Sequence, residues 1–365
     1  MKTKRVSGIE VLRIFCMLAI IILHLYDYGG LSDYANETGG RVNAVADLIW
    51  SFFRAPVDIF VLITGYFMVQ RPFDLKKTVQ RSGKAYAPML FYSLLITAVF
   101  LCATPAVLLG KPAQIVQAFF PFFSRTWYFL SLYILLLLLS PFMNMVMQKL
   151  DRRSFRFLLG ILFVVMSVWP TVAEMAPFNQ VISVTKIVSL SYGKSLGSFL
   201  LYYVLGAYLQ RFSHSYEKPR WRYLGLFVLC CLVDFGLDRL FFAHPSVYHR
   251  VFGAFNNPLV VIQAAALFLF FRDWNFYSPI VNRLAGTTIG VYAIHEHPLV
   301  RNFIWDKLAF SPAAFEKNPA YLLWLPVMIA GIFLACSLVD LGRQGLFYLA
   351  LRLKERIKER GKAGE

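Results

Sequence analysis

Three ionisable residues in the first long apolar segment, roughly 8–29, have types and a spacing suited to catalysis: Glu10, Arg13 and His24. On an α-helix, Arg13 and His24 lie on one face, about three turns and about 16 Å apart along the axis. Glu10 falls one turn before Arg13 on the same side. Because an ionisable side chain in a membrane helix is costly to bury, this polar stripe predicts the core of an active site.

Each residue of the stripe also has a simpler interpretation. Histidine titrates near neutral pH, so His24 is suited to act as a general base, although a histidine here could instead only hydrogen-bond a neighbouring helix. Arg13 could grip an anionic ligand, pair with Glu10, or extend to the membrane interface. The stripe as a whole favours the catalytic role of His24 and leaves the roles of Arg13 open.

The second apolar segment and the loop after it carry further charges. Arg54 and Asp58 are four residues apart, so on a helix they can pair, either structurally or as part of a substrate site at the depth of His24. The following loop holds a cluster of cations, which serves either membrane topology or phosphate binding. These cations are Arg71, Lys76, Lys77, Arg81 and Lys84.

Two later motifs complete the candidate site. Trp127 opens the fourth apolar segment, where an interfacial aromatic belt is the default interpretation. The run 292–298 (Tyr-Ala-Ile-His-Glu-His-Pro) places two imidazoles and a carboxylate near one end of the ninth segment. They can hydrogen-bond a sugar hydroxyl or cap a proline-broken helix. No metal site is predicted, because His295 and His297 point in different directions on a helix.

The composition places these residues in a polytopic helical membrane protein. Of 365 residues, 58% are hydrophobic and only 16% are charged, whereas soluble domains carry about 25% charged residues. The five cysteines lie in apolar runs and show no disulfide framework. The apolar run after the basic N-terminus contains Arg13 and His24 and lacks a cleavage site, so it is predicted to be a retained first transmembrane helix.

About ten spanning helices are predicted from apolar runs near twenty residues long. They cover roughly 8–29, 44–69, 84–104, 127–147, 155–172, 194–211, 221–242, 257–272, 284–304 and 321–350. The stretch 113–124 is too short to span and is expected at the interface or re-entrant. Residues 1–350 form one predicted transmembrane domain, and residues 351–365 a basic cytoplasmic tail.

The distribution of charge orients this arrangement. With alternating loops, 25 of the 37 Lys and Arg residues fall on the side that carries both termini. The positive-inside rule then predicts that both termini are cytoplasmic. The net charge of +17 is explained by topology and by contact with anionic lipid, so nucleic acid is excluded as a partner.

Five short motifs follow one another from residue 10 to residue 298. They are Arg-x10-His at Arg13 and His24 with an acidic residue at Glu10, Phe60-Val-Leu-Ile-Thr64-Gly65-Tyr66, a basic motif at Arg81 and Lys84 running to Pro88, Trp127-Tyr-Phe-Leu130, and Tyr-x-x-His at Tyr292 and His295. In this order they resemble the acyltransferase-3 family of integral membrane O-acyltransferases. Thr64 stands where the family usually has Ser, and Lys84 where it usually has Arg. The run 290–301 looks most like bacterial members that act on surface or exported polysaccharide.

The resemblance implies transfer of an acyl group, commonly acetyl, from cytoplasmic acyl-CoA to a hydroxyl at the outer face of a bacterial cytoplasmic membrane. Acyl-CoA is then a substrate, the acceptor is a glycan or lipid-linked saccharide, and no permanently bound cofactor is expected. His24 becomes the base, directly or through an acyl-His24 intermediate, with Arg13 and Glu10 in the same catalytic group. The expected substrate-site residues are Arg54, Asp58, Arg81, Lys84, Trp127, Tyr292 and His295.

Two other classes compete with this interpretation. In a transporter or flippase, His24, Arg54 and Asp58 would form a proton or substrate path. Such folds often show an internal repeat, and none is visible in this sequence. A structural or sensory membrane protein is the third class, and the Arg13–His24 pair argues against it. Assembly into a homo-oligomer is compatible with the sequence.

Overall fold

The computed structural model describes residues 6–38, 40–124, 127–174, 193–213, 219–240, 252–307 and 323–362, with residues 313, 317, 318 and 320. Regular structure among these residues is entirely helical. The first helices are α1 (Gly8–Tyr28), α2 (Leu31–Thr38), α3 (Gly40–Phe53), α4 (Pro56–Met68), α5 (Leu75–Ala103), α6 (Pro105–Leu109), α7 (Pro112–Phe119) and α8 (Tyr128–Lys149). They continue as α9 (Arg152–Phe163), α10 (Trp169–Ala173), α11 (Leu196–Phe212), α12 (Trp221–Leu240), α13 (Pro258–Arg272), α14 (Pro279–Ala285), α15 (Thr288–His295), α16 (Pro298–Lys307) and α17 (Trp324–Lys362).

Six helical stretches among the described residues are long and apolar enough to cross a membrane. They are Gly8–Tyr28, Gly40–Met68, Leu75–Ala103, Tyr128–Lys149, Arg152–Ala173 and Trp324–Lys354. The all-α, multi-pass membrane class is therefore confirmed. The other four predicted spans are mostly helical where described but do not meet this test, so the count of ten stays a prediction.

Prolines break two of the predicted spans. The second span ends one helix at Phe53 and begins the next at Pro56, leaving Arg54 at the break. The predicted span 284–304 is divided among α14, α15 and α16, the last of which begins at Pro298, as the alternative of a proline-broken helix predicts. Proline has no backbone N–H and disfavours helical geometry in the residue before it. Polar side chains are thereby placed at helix ends within the bundle.

Small residues let the central helices approach closely. A Cβ on Gly65 of α4 would lie 2.0 Å from the carbonyl oxygen of Tyr203 on α11, and one on Gly206 of α11 would lie 2.1 Å from that of Leu62. Neither position therefore accepts a side chain without separating the two helices. This packing holds α4, which contributes to the candidate site, against the middle of the bundle.

Hydrogen bonds between loops show which segments share an end of the bundle. They join Ser7 to Phe276 (2.8 Å), Arg272 to Ser213 (3.1 Å) and Gln70 to Gln210 (2.9 Å). We call this the inner end, and the opposite end, where α1 terminates at Tyr28, the outer end. The segments that meet at the inner end are ones that the charge count assigns to a single side; its cytoplasmic location stays a prediction.

We expect cysteine labelling of intact cells to distinguish Lys77→Cys from Lys111→Cys, each in a Cys102→Ser background because Cys102 is exposed. Lys77 lies in the first turn of α5 and Lys111 directly before α7, and both are exposed. Between them, α5 crosses from the inner to the outer end. A membrane-impermeant maleimide should label Lys111→Cys directly and Lys77→Cys only after permeabilisation. Direct labelling of both positions would contradict the orientation.

Candidate active site

The best-defined polar cluster lies near the outer end, around His24 in α1. His24 Nδ1 is 3.0 Å from His295 Nε2, at the end of α15, and 3.1 Å from Glu296 Oε2. His295 and Glu296 are both buried. The structure therefore brings His24 and His295 into direct contact. It also brings Glu296 to His24; the sequence predicts this carboxylate as a hydrogen-bonding group of the 292–298 cluster and not as a partner of His24.

The hydrogen bonds of His295 define where the protons of both rings lie. His295 Nδ1 is 2.6 Å from the carbonyl oxygen of Val291, one turn earlier in α15. A carbonyl oxygen only accepts, so this nitrogen carries the hydrogen and, in the neutral ring, Nε2 presents a lone pair. His24 Nδ1 must then donate to His295 Nε2. His24 Nε2 is left with a lone pair, which is the form that a general base requires.

Glu296 is held in place from the other side. Arg301 Nη1 is 3.0 Å from Glu296 Oε1, and the Arg301 guanidinium carbon lies 4.0 Å from the centroid of the Tyr28 ring. That ring is in turn 5.5 Å from the ring of His24. Arg301 therefore compensates the charge of Glu296 and closes a ring of contacts around the imidazole of His24.

A cavity of ≈ 100 Å³ lies on the inner side of His24, among α1, α4, α8 and α15. Arg13 lines it, as does Tyr292, whose ring centroid is 6.5 Å from that of His24. Arg13 also contacts Glu10, with 3.5 Å between Nη1 and Oε2. The part of α1 between Arg13 and His24 therefore borders a cavity, as the predicted polar stripe requires. Thr64 of the Phe60–Tyr66 motif lines the same cavity.

The basic segment at the start of α5 stands outside this cavity. Lys84 is exposed and Arg81 is half-buried, and neither belongs to the cavity lining. Lys77 pairs with Asp74, the N-cap residue of α5, with 2.8 Å between its ammonium and the carboxylate. The hydrogen bond from Lys77 lowers the pKa of the Asp74 carboxyl below its usual range. Binding of CoA phosphate by Arg81 and Lys84 stays a prediction.

Arg54 and Asp58 do not form the predicted i, i+4 pair. Arg54 is fully buried; its Nη2 is 2.7 Å from Asp234 Oδ2 on α12, and its Nη1 is 2.8 Å from the carbonyl oxygen of Phe252. Asp58 is buried in the first turn of α4. The prediction of their pairing is wrong because the chain breaks at Arg54, so the helical spacing does not apply. Asp234 was not singled out from the sequence.

Trp127 is buried within the protein, with 1% of its surface exposed. Its ring packs edge-on against His297, with 5.4 Å between the centroids. The interpretation of Trp127 as part of a lipid-facing aromatic belt is therefore wrong. Among the residues that the structure describes, no group of three or more His, Cys, Asp or Glu side chains is arranged to hold a metal ion.

Comparison with known families defines the class of protein. Residues 6–340 match the acyltransferase domain of the acyltransferase-3 family. The match covers nearly the whole chain, so the chain belongs to this family and, at family level, is a membrane acyltransferase. The resemblance that the motifs indicated is confirmed. No curated protein and no solved structure matches the chain.

The Arg54–Asp234 pair yields a prediction that separates a structural from a catalytic role. Removing one partner leaves a buried charge uncompensated, so Asp234→Leu should lower the free energy of unfolding by about 3–5 kcal/mol. The double variant Arg54→Met/Asp234→Leu removes both charges and should recover most of that stability. Thermal unfolding in detergent measures both effects.

The double variant should also retain acyl transfer, because both terminal nitrogens of Arg54 bind protein groups. A double variant that unfolds like the wild type but transfers no acyl group would instead place Arg54 at the reacting atoms.

Proposed function

We propose that this protein transfers an acetyl group from cytoplasmic acetyl-CoA to a hydroxyl of a surface or exported glycan, with His24 as the general base. The observation that carries this proposal is the arrangement around His24. Its Nδ1 hydrogen-bonds His295 and lies 3.1 Å from Glu296 Oε2, so Nε2 is the nitrogen with a lone pair. The helix that carries His24 also borders the Arg13 cavity. Family membership favours this chemistry over transport.

The donor is proposed to enter from the inner end. Arg13, with Arg81 and Lys84 nearer the membrane surface, supplies positive charge for the phosphates of CoA. The thioester then extends along the mostly apolar cavity towards Tyr292. The small volume of that cavity, ≈ 100 Å³, favours a short acyl group such as acetyl over a long acyl chain.

During the transfer, one proton moves from the acceptor hydroxyl to His24 and then from His24 to the leaving thiolate. His24 Nε2 takes the proton of the acceptor hydroxyl as the oxygen attacks the thioester carbonyl. When the tetrahedral intermediate collapses, the carbon–sulfur bond breaks and His24 returns the proton to the departing thiolate of CoA. The same lone pair also suits a two-step route through an acyl-His24 intermediate.

Glu296 and His295 support this cycle without touching the substrate. While His24 carries the extra proton, the carboxylate 3.1 Å from its Nδ1 stabilises the positive charge, as the buried carboxylate does in a Ser-His-Asp triad. His295 holds the ring in the tautomer that leaves Nε2 unprotonated at the start. Both are positioning residues, and Arg301 keeps Glu296 directed towards His24.

We expect His24→Ala to reduce transfer of labelled acetyl from acetyl-CoA to envelope glycan by about 10²- to 10⁴-fold, the usual contribution of a general base. Membrane vesicles containing wild type or variant provide the measurement, and unchanged thermal unfolding confirms that the variant is folded. Undiminished labelling of glycan by folded His24→Ala would exclude His24 as the base.

A matched pair of variants tests the role of His295. Gln can place an amide oxygen near the position of Nε2 and so receive the hydrogen of His24 Nδ1, whereas Met has a similar length and no strong acceptor. We expect His295→Met to lower kcat by about 10- to 100-fold with little change in either KM, the size of effect known for residues that orient a metal ligand. His295→Gln should keep more of the activity. Equal losses in the two variants would contradict a role in setting the tautomer.

A further inference from the structure

A second cavity lies at the outer end, separate from the one that Arg13 lines. It has a volume of ≈ 60 Å³ and is bounded by the outer part of α5, the short helix α7, the start of α8 and the segment that follows α15. Since one water occupies about 10–15 Å³ on this measure, the cavity has room for about four to six water-sized groups. One edge of a sugar ring fills such a space.

Among the residues that the structure describes, the wall of this cavity combines apolar and polar side chains and includes no Lys, Arg, Asp or Glu. Its polar residues include Thr97, Gln114, Gln117, Ser124, Trp127 and His297. Gln114 and Gln117 are three residues apart on α7, so both amides lie on one face of that helix. Amides, hydroxyls and an aromatic ring without fixed charge suit a neutral ligand that both donates and accepts hydrogen bonds. Those are the properties of a sugar hydroxyl.

One group in this wall lacks a partner. Trp127 is buried, and within the described part of the chain its Nε1–H has no hydrogen-bond acceptor. A buried donor without an acceptor is costly, and a ligand oxygen would remove that cost. The wall itself is fixed, because Ser93 Oγ of α5 donates to the carbonyl oxygen of Ala118 in α7 at 2.9 Å.

The cavity also shares segments with the proposed base. His297, in its wall, is two residues after His295, so their Cα atoms are at most about 7.6 Å apart. Trp127 is two residues before Phe129, whose ring is 5.5 Å from that of Tyr292, and both of those rings line the Arg13 cavity. The two segments that border the outer cavity through Trp127 and His297 therefore also border the Arg13 cavity.

We propose that this outer cavity is the acceptor subsite, in which a neutral sugar unit is held by the indole N–H of Trp127 and the amides of Gln114 and Gln117. The inference rests on the acyl transfer proposed above and adds the place and the chemistry of acceptor recognition. It assigns Trp127 to the acceptor side of the reaction and leaves the donor to the Arg13 cavity.

The kinetic test uses oligosaccharides released from the envelope of the native host cells and labelled acetyl-CoA. Trp127→Phe keeps an aromatic ring and removes the N–H, so it should raise KM for the oligosaccharide about fivefold, the usual effect of one hydrogen bond, and leave KM for acetyl-CoA unchanged. Trp305→Phe is the matched control, since Trp305 is also buried with an unpartnered Nε1 but lies outside the cavity wall. An unchanged acceptor KM in Trp127→Phe would overturn the assignment.

A binding test separates this inference from the proposed function. Ser124 lines the cavity, is only half-buried and is not one of the three groups proposed to hold the sugar. Ser124→Cys in a Cys102→Ser background is therefore open to a thiol reagent, whereas the other four cysteines are buried. The oligosaccharides should slow labelling of Ser124→Cys, and CoA should not. Protection without any acyl transfer would support the acceptor subsite and contradict the proposed reaction. Acyl transfer without protection would contradict the subsite and support the reaction.

Discussion

The tautomers of the site depend on the hydrogen bond between His295 Nδ1 and the carbonyl oxygen of Val291, because a carbonyl oxygen can only accept. It sets the tautomer of His295, and the contact between the two imidazoles then sets the tautomer of His24. The nitrogen that is left with a lone pair belongs to the helix that also carries Arg13. A single backbone oxygen in α15 therefore determines which atom of α1 can act as a base.

The position of α15 depends in turn on close packing against α17. A Cβ on Gly290 would lie 2.1 Å from Asp340 Oδ1, so only glycine allows the two helices to approach this closely. Asp340 is fully paired at this contact: it accepts from the Tyr92 hydroxyl at 2.9 Å and from Arg343 Nε at 2.8 Å. Val291 follows Gly290 directly, so this saturated polar contact fixes the carbonyl group that orients His295.

The sequence predicted the parts of the site that depend on local spacing. Arg13 and His24 lie on one helix, where a fixed number of residues per turn determines the shared face, and the cluster at 292–298 is contiguous in the chain. The sequence did not predict the partner of Arg54, because Asp234 is 180 residues away. The helix break before Pro56 also means that Arg54 and Asp58 do not have the i, i+4 geometry of a continuous helix. The burial of Trp127 was not predicted for a related reason. His297, which packs against its ring, is distant in sequence, and α7 is too short to be recognised as a span.

The buried polar groups of this bundle divide into two kinds, and the division supports the proposed chemistry. Arg54 and Asp340 have their charges matched at short distance, as expected where polar groups only hold helices together in a membrane. Around His24 the matching is incomplete: the single hydrogen on Nδ1 is donated to His295, and Glu296 Oε2, 3.1 Å from the same nitrogen, has no hydrogen-bond donor among the described residues. The opposite nitrogen retains its lone pair. A group left in this state within an apolar bundle is costly unless a substrate completes it. The inner and outer cavities, whose linings include Tyr292 and His297 on either side of His295, are then best understood as separate entries for the donor and the acceptor.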